Sequence, residues 1–364
     1  MSKESNTPAG LTIRTVLKVR KERDRDYIRT VEDLFFCVVG YTHPPDRIIA
    51  YLKYMPSPEG KWGHTQRFQR MLKQYDAKSV AEGFELLEEK YPKYLYHDPV
   101  NNITFSAVPL ESIAERYYPE EKVEELTKKK NLDPLEKKAV SLIKTISNES
   151  HVPIEKYGIT GSILINIHNP EFSDIDLTVY GKENALATKD AVLNLKKEKV
   201  LGSFQGKEAE EWIKRKEGTF QLNIEQAKLL LERKWNIGFY EGTRFSIHPI
   251  KEDQEIKEKY GHEKYRSKGL ILIEARVESA DEALYLPCKY KVKDVKILEG
   301  EEAENITEVV SYEGIFCHFA EKGEKIRVGG KLEEVTPKSG KKYHRVLVGS
   351  AEAKAKDFIH IVTR

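Results

Sequence analysis

The sequence predicts an α+β protein, in which a central mixed sheet with helices is flanked by a helical connector and by β-rich N- and C-terminal segments that form a small barrel or sandwich. Three observations lead to this class. Residues 154–249 alternate between strand-like and helical patterns, and residues 110–148 have helical spacing broken by Pro119 and Pro134. The last third of the chain is a series of short apolar runs between turn-forming residues, which is typical of barrels and sandwiches.

The length of 364 residues predicts more than one domain, because single hydrophobic cores stop growing near ~250 to 300 residues. We divide the chain into an N-terminal β-rich segment, a helical connector, a central domain and a β-rich C-terminal domain, at 1–62, 63–150, 151–265 and 266–364. The C-terminal domain resembles an OB-like barrel in strand count and basic character alone.

The N-terminal half is predicted from periodicity. Two strands at 34–41 and 47–54 flank the turn formers of 42–46, and a helix follows from 64 to about 89, with Phe68, Met71 and Leu72 on its apolar side. A short strand is expected at 102–108.

The second half continues in the same way. In the central domain we expect a strand at 175–180, helices near 184–198, 207–216 and 223–234, and strands at 236–240 and 244–250. The C-terminal strands are expected at 269–277, 284–291, 315–319, 325–335 and 343–350.

Composition indicates the compartment but not the partner. Lys and Arg number 61 against 59 for Asp and Glu, so bulk charge neither favours nor excludes nucleic acid. The three cysteines, Cys37, Cys288 and Cys317, have no CxxC spacing and fit a reducing cytoplasm without structural zinc. No uncharged run reaches the ~18 residues of a membrane span, so we expect a soluble cytoplasmic protein. Abundant Lys and Glu with few Met and Cys are typical of thermophile, including archaeal, proteins.

The residues that point to chemistry are Asp174 and Asp176, which follow Ser173 and enclose Ile175. Side chains at i and i+2 of a strand leave the same face, so both carboxylates can share one Mg²⁺ or Mn²⁺ while Ile175 enters the core. Upstream, Gly161-Ser162 ends a strand and should open a turn whose backbone N–H groups and hydroxyl receive phosphate oxygens.

Gly161-Ser162, an eleven-residue middle, and Asp174-Ile175-Asp176-Leu177 together resemble the signature of the DNA polymerase β-type nucleotidyltransferase superfamily. The resemblance covers roughly residues 150–250 and implies that the central domain is a nucleotidyltransferase sheet. It further implies that Asp174 and Asp176 ligate the metal and that Gly161, Ser162 and Ser173 bind the nucleoside triphosphate.

The resemblance fails at the third carboxylate that the family carries on a neighbouring strand. The alternating face of residues 244–249 offers Ser246 and His248 instead, and Glu241 lies in the preceding turn. We therefore expect either that His248 serves as a base, with Glu241 as the alternative, or that the domain is degenerate.

The segment 322–364 has eleven Lys and Arg against five Asp and Glu, with Phe319, Tyr343 and Phe358 interleaved or adjacent. This mixture is typical of a groove that neutralises phosphates and stacks bases, so RNA or DNA is the favoured acceptor.

Three functions remain open at this point. The first is nucleotidyl transfer from a nucleoside triphosphate to an acceptor. The second is nucleic-acid binding or scaffolding by a degenerate transferase fold, and the third makes the β-rich ends, including 35–41, an oligomer or partner interface.

Overall fold

The computed structural model describes residues 20–71, 77–217, 221–353 and 356–362. Within these ranges the chain is a mixed α+β protein with three sheets, so the coarse fold class is confirmed. Among the helices of these ranges, none is both long enough and apolar enough to cross a membrane.

The first sheet is formed by the N-terminal third of the chain. Its strands run in the order β5-β6-β3-β2-β1-β7, and β4 pairs with β3 beside this path. Phe36 and Val38 enter a core on one face, whereas Phe35 and Cys37 pack on the other face against residues 164–167 of the next unit. The elements are β1 (Tyr27–Thr30), β2 (Phe35–Val38), β3 (Arg47–Pro56), β4 (Phe68–Arg70), α1 (Ala77–Lys90), β5 (Leu95–Asp98), β6 (Ile103–Pro109) and β7 (Ile113–Tyr117).

The prediction of a helical connector over 63–150 is wrong at two places, although α1 is helical within the predicted range 64–89 and β6 matches the strand expected at 102–108. Phe68 lies on β4, not on a helix, because residues 68–70 pair with the open side of β3 at Tyr54–Pro56. Residues 113–117, also predicted as helical, pair with β1 as an edge strand. Leu72, which belonged to the predicted helix, lies outside the described residues.

The second half of the predicted connector is helical as expected. Helices α2 (Pro119–Lys128) and α3 (Pro134–Ser150) both begin with proline, which has no N–H to leave unpaired in a first turn. Asp133 caps α3 through the backbone N–H groups of Leu135 and Glu136, and the Glu136 side chain returns to the Asp133 N–H.

The second sheet is mixed and has the order β10-β11-β9-β8. Strands β9 and β11 are parallel, while β8 and β10 run antiparallel to their neighbours. One face of this sheet shares a core with α2, α3 and α5, to which Ile175, Leu177 and Ile247 contribute. The elements are β8 (Tyr157–Thr160), α4 (Gly161–Leu164), β9 (Ile175–Tyr180), α5 (Lys182–Lys197), α6 (Gly206–Glu217), α7 (Ile224–Arg233), β10 (Ile237–Tyr240) and β11 (Thr243–Ile250).

The third sheet contains the C-terminal strands. Five of them pair in a closed circuit, in which β12 contacts β13, then β14, β16 and β15 follow, and β15 returns to β12. The pair β14–β16 is parallel, the other pairs of the circuit are antiparallel, and β17 adds to β15. The strands are β12 (Glu263–Ser279), β13 (Cys288–Glu299), β14 (Ile306–Ser311), β15 (Lys325–Pro337), β16 (Tyr343–Val348) and β17 (Phe358–Ile361).

The strand expected at 315–319 is wrong. Residues Gly314–Phe316 form a 3-10 turn, and Phe316 and Phe319 are fully buried in the core of the third sheet. The Tyr290 hydroxyl donates to the Phe316 carbonyl at 2.5 Å and accepts from the Phe319 N–H at 3.0 Å. These contacts satisfy the backbone where a strand partner would otherwise be needed.

Candidate functional site

The close approach of Gly161 to Asp176 defines the centre of the candidate site. Gly161 follows β8 directly and has a φ of +69°, a conformation that side chains rarely adopt. A Cβ atom at this position would lie 2.5 Å from Asp176 Oδ2. The position therefore needs glycine for its backbone conformation and for the space that the carboxylate occupies.

Asp174 and Asp176 alternate with buried neighbours at the start of β9. Ile175 and Leu177 are 0% exposed and point into the core, whereas Asp176 is half-buried and Asp174 is exposed. This alternation agrees with the expected placement of both carboxylates on one face of the strand.

Ser162 and Ser173 are both buried beside this centre. The carbonyl of Ser162 accepts from the Ile167 N–H at 3.0 Å, which closes the turn after α4. The Ser173 hydroxyl accepts from the Asn169 N–H at 2.9 Å, and its own N–H returns to the Asn169 carbonyl. Ser173 thus shapes the turn that leads into β9, and its contact with a nucleotide stays a prediction.

Ser246 occupies the position beside Asp176 in the parallel ladder of β9 and β11. Its hydroxyl donates to Asp176 Oδ1 at 2.5 Å and contacts His248 Nε2 at 2.8 Å. Because the Ser246 proton points to Asp176, the Ser246 oxygen is the acceptor for His248, whose proton must lie on Nε2. At Nε2 the imidazole therefore cannot take a proton from an attacking hydroxyl.

The pKa of His248 is lowered well below 6.5, first by burial and then by the charges of Arg25, Lys234 and Lys53. A base at this position would therefore not titrate near histidine's usual 6.5. The geometry supports a role in which neutral His248 orients Ser246, and a role as the reacting base stays a prediction.

Glu241, the alternative base, lies in the turn between β10 and β11 and is exposed. Its carbonyl accepts from Lys138 Nζ at 2.8 Å, and Lys138 belongs to α3, which packs on the opposite face of the sheet from Asp176. The described contacts thus join Glu241 to the helical side and give no link to the acid pair.

Arginines from three separate elements act on Asp174. Its pKa is raised to about 6, first because the surrounding protein reduces its hydration and second because Asp176 repels its charge. Arg244 of β11, Arg70 of β4 and Arg215 of α6 oppose this rise. A site with two acids that lie within electrostatic reach of three arginines is suited to a polyanion that carries a bound cation.

The first sheet forms a wall of the site, which the sequence did not predict. Tyr27, Tyr54 and Phe68 pack against Leu164, Ile165 and Ile167 of the segment that follows Ser162. Lys53 is buried in the same wall, and burial, followed by the charge of Arg70, lowers the pKa of its ammonium well below 10.5, while Asp176 opposes this. The Thr160 hydroxyl donates to the Arg25 carbonyl at 2.7 Å, which joins the wall to the end of β8.

A second acidic group lies at the start of α3. Asp133, Glu136 and His168 have ligand atoms within 4.8 Å of one another. Existing contacts already engage both carboxylates and one imidazole nitrogen, because Lys129 Nζ donates to both Glu136 oxygens and His168 Nε2 pairs with Asp133 Oδ2 at 2.6 Å. His168 Nδ1 is buried and has no hydrogen-bond partner among the described residues. We read it as the cap of α3 and not as a metal site.

Several cations of the basic segment 322–364 are neutralised by ion pairs in the fold. Lys325 and Arg327 both bind Glu274, and Lys331 and Arg345 both bind the buried Glu333. Phe319 is fully buried and cannot stack on a base, so its predicted part in such a groove is wrong. A role of the remaining segment in binding nucleic acid stays a prediction.

Comparison with known proteins shows that the chain is similar over nearly its whole length to an archaeal protein. No family model matches the sequence, and no solved structure matches it. The chain is 32% identical over 344 residues to the "Uncharacterized protein MJ1086" of the archaeon Methanocaldococcus jannaschii, a match that covers 94% of this chain and 99% of the relative. The chain therefore belongs to the same family as this archaeal protein.

Proposed function

We propose that the chain is a nucleotidyltransferase of the DNA polymerase β type, which moves a nucleotidyl group from a nucleoside triphosphate to an acceptor. The observation that carries this proposal is the contact of Gly161 with Asp176. A turn glycine with φ +69° and no room for a Cβ beside the second of two same-face carboxylates is the arrangement that the resemblance requires.

In this proposal Asp174 and Asp176 hold Mg²⁺ or Mn²⁺, and the ion supplies charge neutralisation for the attacking and leaving oxygens. The backbone of Gly161 and the hydroxyls of Ser162 and Ser173 lie beside the phosphates. Arg70, Arg215 and Arg244 neutralise the remaining negative charge of the triphosphate. Ser246, oriented by His248, keeps Asp176 in position.

The third sheet supports a further part of the proposal. Its five-strand circuit, with β14 parallel to β16 and the other pairs antiparallel, supports the OB-like barrel expected from the sequence. In the proposed enzyme this unit supports the fold around the site, because Lys234 of the central unit donates to the Gly314 and Cys317 carbonyls at 3.1 and 2.8 Å.

The test is transfer of label from α-³²P nucleoside triphosphates, each with Mg²⁺ or Mn²⁺, to RNA, DNA and protein extracts. We expect one acceptor class to be labelled by the natural chain and not by Asp174→Ala or Asp176→Ala. Transfer that survives in both variants would exclude the site.

A second candidate is a nucleotide- or nucleic-acid-binding module without catalysis. Ser246 in the place of the third carboxylate and the low pKa of His248 favour it, because neither group removes a proton from an acceptor in this arrangement. Tight, metal-dependent triphosphate binding without labelling of any acceptor would select this candidate.

A further inference from the structure

We propose that the segment 57–71 and Phe172 form a binding site for single-stranded nucleic acid beside Asp174. That the bound strand is the acceptor of nucleotidyl transfer rests on the proposed function. The binding of the strand does not depend on that function. We call this set of residues the 57–71 site, and four observations lead to it.

The segment 57–71 is held in one conformation by backbone hydrogen bonds. The Ser57 N–H donates to the Arg67 carbonyl at 3.0 Å, and Trp62 and Phe68 exchange backbone hydrogen bonds of 3.2 and 2.9 Å. A Cβ at Gly60 would lie 2.2 Å from the Phe68 backbone, and one at Gly63, which has φ +86°, would lie 2.1 Å from the Gln66 carbonyl oxygen. The loop conformation thus depends on two glycines and is held at both ends.

The loop is fixed to the segment that precedes the acid pair. The Gly63 N–H donates to the Ile167 carbonyl at 2.8 Å, and the Trp62 ring meets the Phe172 ring edge-on at 5.5 Å between centroids. Phe172 lies two residues before Asp174 and is 45% exposed. A large aromatic ring that stays exposed on a rigid support is a surface on which an unpaired base can stack.

The charge of the loop matches a phosphate backbone. Lys61 and Arg67 are exposed and Arg70 is half-buried, while Glu59 is the one acidic residue within 57–71. The exposed side chains between them, which include Thr65 and Gln66, are uncharged hydrogen-bonding groups. Arg70 also acts on Asp174, so the positive charge extends from the loop to the acid pair. Cations, polar groups and an exposed aromatic ring along one path are the composition of sites for single strands.

The C-terminal alternative is weaker by the same criteria. Four of its cations, Lys325, Arg327, Lys331 and Arg345, form ion pairs within the third sheet. Of its predicted aromatic residues, Phe319 is buried and Tyr343 and Phe358 are half-buried, whereas Phe172 is exposed. A duplex is also disfavoured at the 57–71 site, because paired bases offer no free face to Phe172. The observations therefore favour a single strand at the first sheet.

The protein carries its own reporter for the experiment. Trp212 and Trp235 are 6% and 2% exposed, whereas Trp62 is half-buried beside Phe172. Tryptophan fluorescence is titrated with unlabelled 12-nucleotide RNA, the same DNA sequence and a 12-base-pair duplex, in EDTA and without triphosphate. We expect quenching and tighter binding of the single strands, and Trp62→Phe should lose the quenching, which assigns the fluorescence change to the Trp62 side chain.

Two variants measure the proposed contacts. Phe172→Leu removes the stacking surface and should weaken single-strand binding by roughly 5- to 100-fold. Arg67→Ala should lower the slope of log K against log[salt] by about 0.7, the value for one phosphate contact in a single strand. The matched controls are Tyr312→Leu, a residue 40% exposed directly after β14 of the third sheet, and Lys296→Ala, which is exposed on β13.

Each outcome decides the proposal. Loss of binding in the Tyr312 or Lys296 variant with none in Phe172→Leu and Arg67→Ala would overturn it in favour of the third sheet. Absence of single-strand binding at low salt, or equal affinity for the duplex, would overturn it outright. Asp174→Ala should still bind the strand, because the strand contacts lie in the 57–71 site. If the natural chain binds single strands but transfers no nucleotide, the proposed enzyme is refuted and the binding site is retained.

Discussion

The hydroxyl of Ser246 lies 2.5 Å from Asp176 Oδ1, on the strand where the resemblance to polymerase β-type enzymes would place a third carboxylate. Ser246 thus contributes a hydrogen bond at a position where the resemblance implies a metal ligand. The same hydroxyl also takes a hydrogen bond from His248 at 2.8 Å, so both groups hold Asp176. With serine at this position, the centre formed by the described residues has two acids and not the three that the resemblance implies.

Ser246→Asp should therefore increase the affinity of the site for Mn²⁺ severalfold, because it adds a third hard oxygen ligand beside Asp176. Titration of free Mn²⁺ by electron paramagnetic resonance measures this affinity directly. Ser246→Ala is the matched control, since it removes the hydroxyl and adds no ligand. Equal Mn²⁺ affinity in the aspartate and alanine variants would contradict the placement of the metal.

Gly161→Ala should destabilise the protein and displace Asp176. The alanine has to adopt a φ near +69° and places its Cβ 2.5 Å from the carboxylate. Gly242→Ala is a matched control, because Gly242 has φ +74° but nothing lies within 4 Å of its Cβ position. The left-handed conformation alone costs roughly 1–2 kcal/mol.

The difference between these two variants isolates the contact with Asp176. We expect Gly161→Ala to lose about 1–3 kcal/mol more than Gly242→Ala in guanidinium unfolding, the usual range for overpacking. It should also lose Mn²⁺ binding, which Gly242→Ala should keep. Similar losses of stability in both variants would show that Asp176 moves away at little cost.

Metal binding should depend on pH through Asp174. Its pKa of about 6 means that the carboxyl is largely protonated below that pH and cannot ligate a cation there. Mn²⁺ affinity should thus rise between pH 5 and 7, as measured by calorimetry. In the absence of metal the raised pKa lowers stability as the pH rises from about 4 through 6. Asp174→Asn should therefore raise the melting temperature at pH 7 and flatten the metal response.

Acid should destabilise the protein through His43. Its Nε2 contacts the Glu22 carbonyl at 3.3 Å, and its Nδ1 accepts from the Ile49 N–H at 3.2 Å, so a proton on Nδ1 would oppose a donor. Burial lowers the pKa of His43 from 6.5 to about 4. The unfolded chain therefore takes up this proton first, and stability is lost as the pH falls from 6.5 toward 4.

The size of this effect follows from the shift. Between pH 6.5 and 5 we expect His43 to account for a loss of about 2 kcal/mol in the free energy of unfolding, at roughly 1.4 kcal/mol per pH unit. His43→Asn retains an acceptor for the Ile49 N–H and does not titrate. Urea unfolding of both proteins at pH 5 and 7 should show a smaller pH dependence in the variant, and identical dependence would contradict the assignment.

The local pattern was enough to predict β2, β3 and β9, because continuous apolar runs between turn residues pair in only a few ways. It was also enough to place Ser246 beside Asp176, since the alternation of a strand fixes which residues share a face. The pattern failed at residues 68–70 and 113–117, whose short apolar spacing fits a helix or a strand equally well. There the pairing with β3 and β1 decided the structure, and that is a tertiary effect.

The cationic part of the site was not predictable in the same way. Arg70 and Lys53 reach the acid pair from a sheet about a hundred residues earlier in the chain, and no local spacing links them to Asp174. Arg244 precedes Phe245, which pairs with Ile175 in the parallel ladder. The resemblance gave no reason to expect a cation there, because it implies an acid on that strand.

The order of these parts along the chain has a consequence for biosynthesis. The strands of the first sheet end at Tyr117, whereas the site residues of the central sheet begin at Gly161. At about 5–20 residues per second the ribosome releases the first sheet seconds before it releases β9, and N-terminal units generally fold first. During this interval the face formed by Tyr27, Phe35 and Tyr54 is not yet covered by residues 164–167. We therefore expect the nascent protein to expose this apolar surface until residues 164–167 are synthesised, a few residues before the acid pair.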